Sequence, residues 1–237
     1  MRIDVTLVER ALATTRAKAV QLLANGSVLV NGKPVKKPAF QVTNTDEITL
    51  TATLRYVSRG GEKLEKALEV FAVSVENKTC MDIGASTGGF TDCLLQGGAA
   101  SVLAIDTGTD QLDERLRGDP RIELHEQTNC VGFETVRRFD LITIDVSFVS
   151  LTKVLPSALS FLKEDGLIIA LIKPQFEVGR QHLTKKGIVK DKRLYQKLLQ
   201  DMKEFAMTQN AEITDIIESP IQGGDGNTEF LAKIRKL

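Results

Sequence analysis

Apolar positions in this chain fall at helix and strand spacings in two blocks, with a break between them. In the first block Asp4 precedes Val5, Val8 and Leu12, and Thr14 or Thr15 precedes Ala19, Leu22 and Leu23. Each set has the three-and-four spacing of an amphipathic helix with a capping residue at its start. Gly26 closes the second helix. Ser27 to Val35 then reads as two short strands around Asn31-Gly32, a pair suited to a type I′ turn, and Glu47 to Leu50 as a further strand. Residues 1–51 are therefore expected to form a small α+β unit, near the lower size limit for independent folding.

Residues 52–61, with Ser58-Arg-Gly-Gly61, read as a linker. Leu64, Ala67, Leu68 and Phe71 then mark a helix. Seven strand candidates follow, near 78–83, 101–105, 121–124, 139–145, 166–172, 212–218 and 228–235. Helical stretches near 90–97, 110–117, 150–162 and 191–208 separate most of them, as parallel βαβ units require. Pro220 to Asn227 is too short for a parallel crossover, so the last two strands should pair antiparallel. The prediction for residues 62–237 is a Rossmann-like, seven-stranded α/β domain with its last strand reversed.

Composition narrows the class of protein. Hydrophobic residues at 42% and charged residues at 26% suit a soluble globular chain. The net charge is zero but uneven: residues 1–66 carry 11 Lys/Arg against 6 Asp/Glu, and the remainder 20 against 25. A basic front on an acidic body points to a polyanion partner for the front alone. Cys80, Cys93 and Cys130 are scattered, which argues against a zinc site or a disulfide framework and leaves no metal to expect. The N-terminus lacks an apolar signal core, and the longest apolar run, Leu167 to Ile172, is far too short for a membrane span. A cytoplasmic monomer without membrane contact is expected.

The chemistry concentrates after the first strand of the second block. Lys78 to Phe90 reads as strand, glycine turn, helix start, with Asp82 ending the strand and Gly84, Gly88 and Gly89 in the turn. Such a turn brings backbone close to a ligand and offers free N–H groups. It is not a dinucleotide fingerprint, because Ser86 stands where the second glycine belongs. Gly84-Ala-Ser-Thr-Gly88 also fits a nucleophile elbow, but no oxyanion motif is present and His182 is the one histidine late enough to serve. The remaining alternatives are a plain turn and a nucleoside-binding turn for S-adenosylmethionine, formed by Asp82, Gly84, Ser86, Thr87, Gly88, Gly89 and Phe90. On the latter reading Asp106, ending the next strand, binds the ribose hydroxyls, Glu126 and Asn129 face the adenine, and Asp145, beside the switch point, also contacts the cofactor.

Two further strands end in charge. Asp145 closes the run from Asp140, and Lys173 closes the run from Gly166 before Pro174. A buried strand ending in an unpaired charge is costly, so the two are expected to meet across the sheet edge. They can form a structural ion pair. Alternatively, partial burial and a neighbouring cation favour the neutral amine of Lys173, which can take a proton.

Several stretches carry a family resemblance. Arg2-Ile-Asp-Val, Val8-Glu-Arg-Ala-Leu, Arg16-Ala-Lys-Ala and Leu23 to Lys33 resemble the S-four RNA-binding module. Ser58 to Leu64, Asp82 to Asp92, Asp145 to Phe148, Leu171 to Glu177 and Asn227 to Leu231 extend the likeness to the TlyA or haemolysin A family. These are S-four-tagged relatives of the FtsJ-type ribose methyltransferases of ribosomal RNA. The resemblance implies S-adenosylmethionine as cofactor and ribosomal RNA or ribosomal subunits as partner. It further implies cytidine 2′-O-methylation and a catalytic set of Lys63, Asp145, Lys173 and Glu229. Lys63 and Glu229 come only from this resemblance. By local pattern Lys63 lies on a solvated helix face and Glu229 is an exposed edge charge. Arg10, Arg16, Lys18, Lys33, Lys36 and Lys37, joined through the resemblance by Arg2 and Arg59, are the candidate phosphate contacts. The rival readings are an RNA-binding protein with an inactive methyltransferase domain and a cytolytic haemolysin.

Overall fold

The computed structural model of the 237-residue chain describes all residues except 25, 52–54, 224 and 225. Part of the expected linker and part of the loop before the last strand therefore lie outside the described residues. The chain divides into two units, Met1–Ser58 and Arg59–Leu237.

In the first unit α1 (Ile3–Glu9) and α2 (Arg16–Ala24) accompany a three-stranded antiparallel sheet of β1 (Val28–Val30), β2 (Lys33–Pro34) and β3 (Ile48–Leu50). Asn31 and Gly32 both take positive φ, 50° and 75°, which is the geometry the Asn-Gly pair favours. Ala19, Leu22 and Leu23 of α2 join Ile3, Leu7, Val28 and Val30 in the core. Thr15 caps α2, its hydroxyl accepting from the Lys18 amide at 3.2 Å. The first helix departs from expectation. It is capped at Arg2, runs only to Glu9, and buries Ile3, Asp4, Thr6 and Leu7 instead of a Val5–Val8–Leu12 stripe. Asp4 is not a cap but a buried anchor, because two arginines reach it.

The second unit holds α3 (Gly60–Val70), β4 (Thr79–Ile83), α4 (Gly89–Gln96), β5 (Ser101–Ile105), β6 (Ile122–His125), β7 (Phe139–Ile144), α5 (Leu151–Phe161), β8 (Leu162–Ile172), α6 (Pro174–Glu177), α7 (Leu194–Thr208), β9 (Ala211–Glu218) and β10 (Phe230–Lys236). Its sheet runs β6-β5-β4-β7-β8-β10-β9. Strands β4 to β8 pair parallel, and β10 inserts antiparallel between β8 and β9. The order turns back at β4, so crossovers to either side leave helices on both faces. Leu151, Val154, Leu155, Leu198 and Met202 from α5 and α7 pack with Ile142, Ile144, Ile168 and Ile234 of the sheet. The helix expected over 110–117 is absent; Leu112 and Leu116 are buried there, but the segment turns locally.

Candidate active site

The turn after β4 and the ends of β5 and β7 meet at one carboxyl rim. There the turn after β4 passes close beneath β7. A side chain at Gly84, whose φ is 85°, would lie 2.5 Å from the Asp145 carbonyl oxygen, so only glycine lets the two loops approach. Gly88, φ 91°, starts α4. A cleft of about 660 Å³ opens above, lined in part by Gly84, Ser86, Asp106, Asn129 and Asp145. Its volume lies in the range that holds a nucleoside-sized ligand.

The predicted cofactor residues do not all reach this cleft. Asp82 is fully buried under the turn, where its two oxygens accept from the Thr91 and Thr143 hydroxyls at 2.7 and 2.8 Å. Burial raises its carboxyl to about 6 against the pull of those hydrogen bonds. It holds the turn and does not line the cleft. Gly88, Gly89 and Phe90 are likewise buried beneath, Thr87 stands exposed beside the turn, and Glu126 accepts from the Gln111 amide at 3.0 Å. Asp106 sits at the end of β5 as expected, one oxygen accepting from the Ser86 amide at 2.8 Å and the other from the Gly108 amide at 2.6 Å. That orients a carboxylate into the cleft with lone pairs left over.

Two ion pairs occupy the adjoining rim. Lys173 Nζ lies 2.6 Å from Asp145 Oδ1, the meeting that the two strand ends predicted. That contact is ionic without hydrogen-bond alignment, for Asp145 Oδ1 has no aligned donor, and Lys173 directs its hydrogen bond to Ser147 Oγ at 2.9 Å. Lys63 Nζ lies 2.5 Å from Glu229 Oε2. Both partners are buried, Lys63 at 8% and Glu229 at 3% exposure, contrary to the solvated face and exposed edge that their local patterns suggested. Lys63 shares the buried stripe of α3 with Leu64 and Ala67. Glu229 precedes β10, an interior strand of the sheet, so it is no edge charge. Because Phe230 pairs with Ile172 across the antiparallel β8–β10 ladder, the next pair outward sets Glu229 opposite Lys173. Asp145, Lys173 and Glu229 therefore follow one rim across β7, β8 and β10, and Lys63 joins Glu229 from α3.

Sequence reasoning missed the support around them. Ser147 and Phe148 line the cleft. Phe148 has φ 63° and is 92% exposed, a backbone conformation uncommon for an aromatic residue, with its ring 5.1 Å from that of Phe176. Glu177 fastens this loop by accepting from the Leu151 amide at 2.8 Å and the Ser150 hydroxyl at 2.6 Å, and burial pushes its carboxyl up. A local signal existed only for Glu177, whose place just past Pro174 on the rim suits capping a neighbouring helix.

The predicted RNA contacts of the first unit divide. Arg2 and Arg16 bond to Asp4, and Arg2 then Arg16 hold its carboxyl down at about 2. Arg10 donates to the carbonyls of Asp46, Thr43 and Asn44, and Lys18 to that of Val57. These four brace the fold. Lys33, Lys36 and Lys37 stand exposed around the hairpin with no acidic partner among the described residues. Arg59 is half-buried at the start of α3.

A reversed strand within this sheet order and a nucleoside-sized cleft at the switch point define the S-adenosylmethionine-dependent methyltransferase class. Residues 56–236 match the FtsJ-like methyltransferase family and residues 1–48 the S4 domain. The chain belongs to the FtsJ-like methyltransferase family and uses S-adenosylmethionine. It is 45% identical over 236 residues to YqxC of Bacillus subtilis, which is named as a candidate rRNA methyltransferase, covering 97% of this chain and 84% of that one. It is 40% identical over 239 residues to the 16S/23S rRNA (cytidine-2′-O)-methyltransferase TlyA of Mycobacterium tuberculosis, covering 99% and 89%. A solved structure from Streptococcus thermophilus, described as a hemolysin candidate, superposes with TM-score 0.77 at 43% identity, covering 100% and 88%. Among the described residues no helix is long and apolar enough to cross a membrane.

Proposed function

We propose that the chain methylates a ribose 2′-hydroxyl of ribosomal RNA, the nucleoside being cytidine, with Lys173 as the general base. The observation that carries this reading is the double pairing on one rim, Lys173 with Asp145 and Lys63 with Glu229, beside the cleft. The name of the M. tuberculosis relative supports the nucleoside and the oxygen.

The residues present fit the donor. Ile83, Ile105 and Val131 give the cleft apolar walls suited to a purine, and Asp106 presents a carboxylate to ribose hydroxyls. Bound S-adenosylmethionine supplies an electrophilic sulfonium methyl. On this reading Gly84, Ser86, Asp106 and Asn129 hold it. Lys173 Nζ, once its own proton has passed to solvent, receives the proton of the target hydroxyl, and Asp145 and Ser147 fix the position of that amine. Lys63 and Glu229 form a second ion pair on the same rim, adding no net charge to it. Fixed approach and exclusion of water then provide most of the acceleration. Lys33, Lys36 and Lys37 give the first unit its phosphate contacts, and the enzyme acts as a cytoplasmic monomer.

Tritiated S-adenosylmethionine, the purified full chain and ribosomal subunits from a strain lacking the enzyme test this directly. Label is expected in the RNA. Absence of label from RNA in both subunits, whether offered intact or as naked RNA, would overturn the reading.

A further inference from the structure

One stretch of the second unit does not share its charge. Residues 67–237 carry 20 Lys/Arg against 25 Asp/Glu, yet residues 180–193 carry six against Asp191 alone. Without that stretch the same region holds 14 against 24, so the stretch is a cationic island on an acidic domain. A lone exposed lysine is an ordinary surface residue. Here the clustering is accompanied by a defined structure.

The stretch folds as a tongue. A short 3-10 helix (Arg180–His182) opens it, Leu183 and Val189 bridge antiparallel, and the Lys190 amide donates to the His182 carbonyl at 3.0 Å. Its tip turns at Thr184 to Gly187, where the Thr184 hydroxyl accepts from the Ile188 amide at 3.1 Å. Lys185 and Lys186 stand exposed at that tip, and with Arg180 and Lys192 they have no acidic partner among the described residues.

Both ends of the tongue are tied to the rim that carries the ion pairs. Its entry follows Lys173 through α6. Its return is held by Asn227, which is 1% exposed. Asn227 Oδ1 accepts from the Val189 amide at 3.0 Å, and Nδ2 donates to the Gly187 carbonyl at 3.0 Å. The Asn227 carbonyl accepts from the Gly223 amide at 2.9 Å, and a side chain at Gly223 would run into Glu229 Oε1. One residue, Thr228, stands between Asn227 and Glu229, so the two are at most about 7 Å apart along the chain. A buried amide that spends both its ends on one loop fixes where that loop stands relative to its own strand.

We propose that this tongue grips the RNA phosphates flanking the target ribose, and that Asn227 is the positioning residue that registers the grip against Glu229 and Lys173. The proposal rests on the RNA-methylating reading given above. The S4 unit would then supply attachment to the RNA, and the tongue alignment at the reacting nucleotide. Phosphate contacts of this kind orient a substrate without reading its sequence.

The test uses the full chain and ribosomal subunits at several salt concentrations. For the double variant Lys185→Ala/Lys186→Ala, KM for subunits should rise about tenfold. The slope of log(kcat/KM) against log salt should become shallower by about 1 to 2, since each phosphate contact contributes roughly 0.9. Affinity for S-adenosylmethionine, by calorimetry, should not change. Asn227→Ala should flatten the salt slope in the same way without removing a charge, again with donor affinity retained; a merely structural role would weaken donor binding and leave the slope alone. The lysine pair is at an exposed tip, so folding does not confound it. A double variant with wild-type KM and slope overturns the tongue while the methyltransferase reading stands. A wild-type chain that methylates no RNA removes both.

Discussion

Strand β7 has a carboxylate at each end, and the two are held in opposite ways. At the start, Asp140 accepts from the Thr79 amide and hydroxyl at 2.8 and 2.7 Å and from Lys163 at 2.7 Å. Burial alone would raise its carboxyl, but Lys163 and Thr79 outweigh that and hold it at about 2. At the far end, Asp145 meets Lys173 through an oxygen that has no aligned hydrogen bond. One residue type on one strand thus serves two purposes. A carboxylate with three donors fastens the sheet, and one held by a single lysine beside a cleft is available for chemistry.

The largest expected effect would break this contrast at its functional end. Lys173→Ala should lower methyl transfer by about 10²- to 10⁴-fold, the usual contribution of a positioned base, with donor affinity nearly unchanged. Asp145→Asn should act in the same direction, and should also lower the melting temperature because the Lys173 side chain, 11% exposed, loses its ionic partner. Wild-type single-turnover rates in either variant would place the chemistry elsewhere.

Next in size is the buried pair behind it. Glu229→Ala leaves the Lys63 charge buried without its partner, and should cost about 3–5 kcal/mol in denaturant unfolding. Replacing both partners, Lys63→Met with Glu229→Leu, should recover most of that stability and none of the activity. An unchanged unfolding midpoint for the single variant would mean that the pair is not buried.

The pH dependence of stability involves a third carboxylate, Asp82. Its folded value of about 6 exceeds the unfolded value of about 3.9, so between them the folded chain keeps a proton that the unfolded chain has released. Stability should therefore fall as pH rises from about 4 to 6, by up to about 3 kcal/mol, and Asp82→Asn should remove that slope. Asp140 works with the opposite sign. Its contribution is complete above about pH 4 and is lost as pH falls through about 2.

The smallest effect belongs to Asp140 itself. Asp140→Asn should cost about 1–2 kcal/mol, the worth of hydrogen bonds to a charged group, while kcat stays at the wild-type value. A fall in kcat without loss of stability would erase the distinction between the two ends of β7.

Much of this organisation was legible in the chain because strand ends announce themselves. Apolar runs that stop at Asp82, Asp106, Asp145 and Lys173 gave both the strand positions and the rim, and the short loop before β10 gave its reversal. What stayed hidden depends on distant partners. Lys63 and Glu229 are 166 residues apart, and each looks like a surface charge among its own neighbours. Asp4 reads as a helix cap until Arg2 and Arg16 are seen converging on it. Over 110–117 Leu112 and Leu116 have helical spacing, but Asp113 bonds locally to the Arg115 amide and side chain, and the segment turns.

On the proposed reading, S-adenosylmethionine methylates a ribose oxygen at the rim shared by Lys173, Asp145, Lys63 and Glu229. Locating the transferred methyl tests it: RNA from treated subunits is digested to nucleosides and weighed by mass spectrometry, with wild type and Lys173→Ala in parallel. One added methyl is expected on the sugar fragment of cytidine for wild type and none for the variant. A methyl on the base, or equal sugar methylation by both proteins, would contradict it.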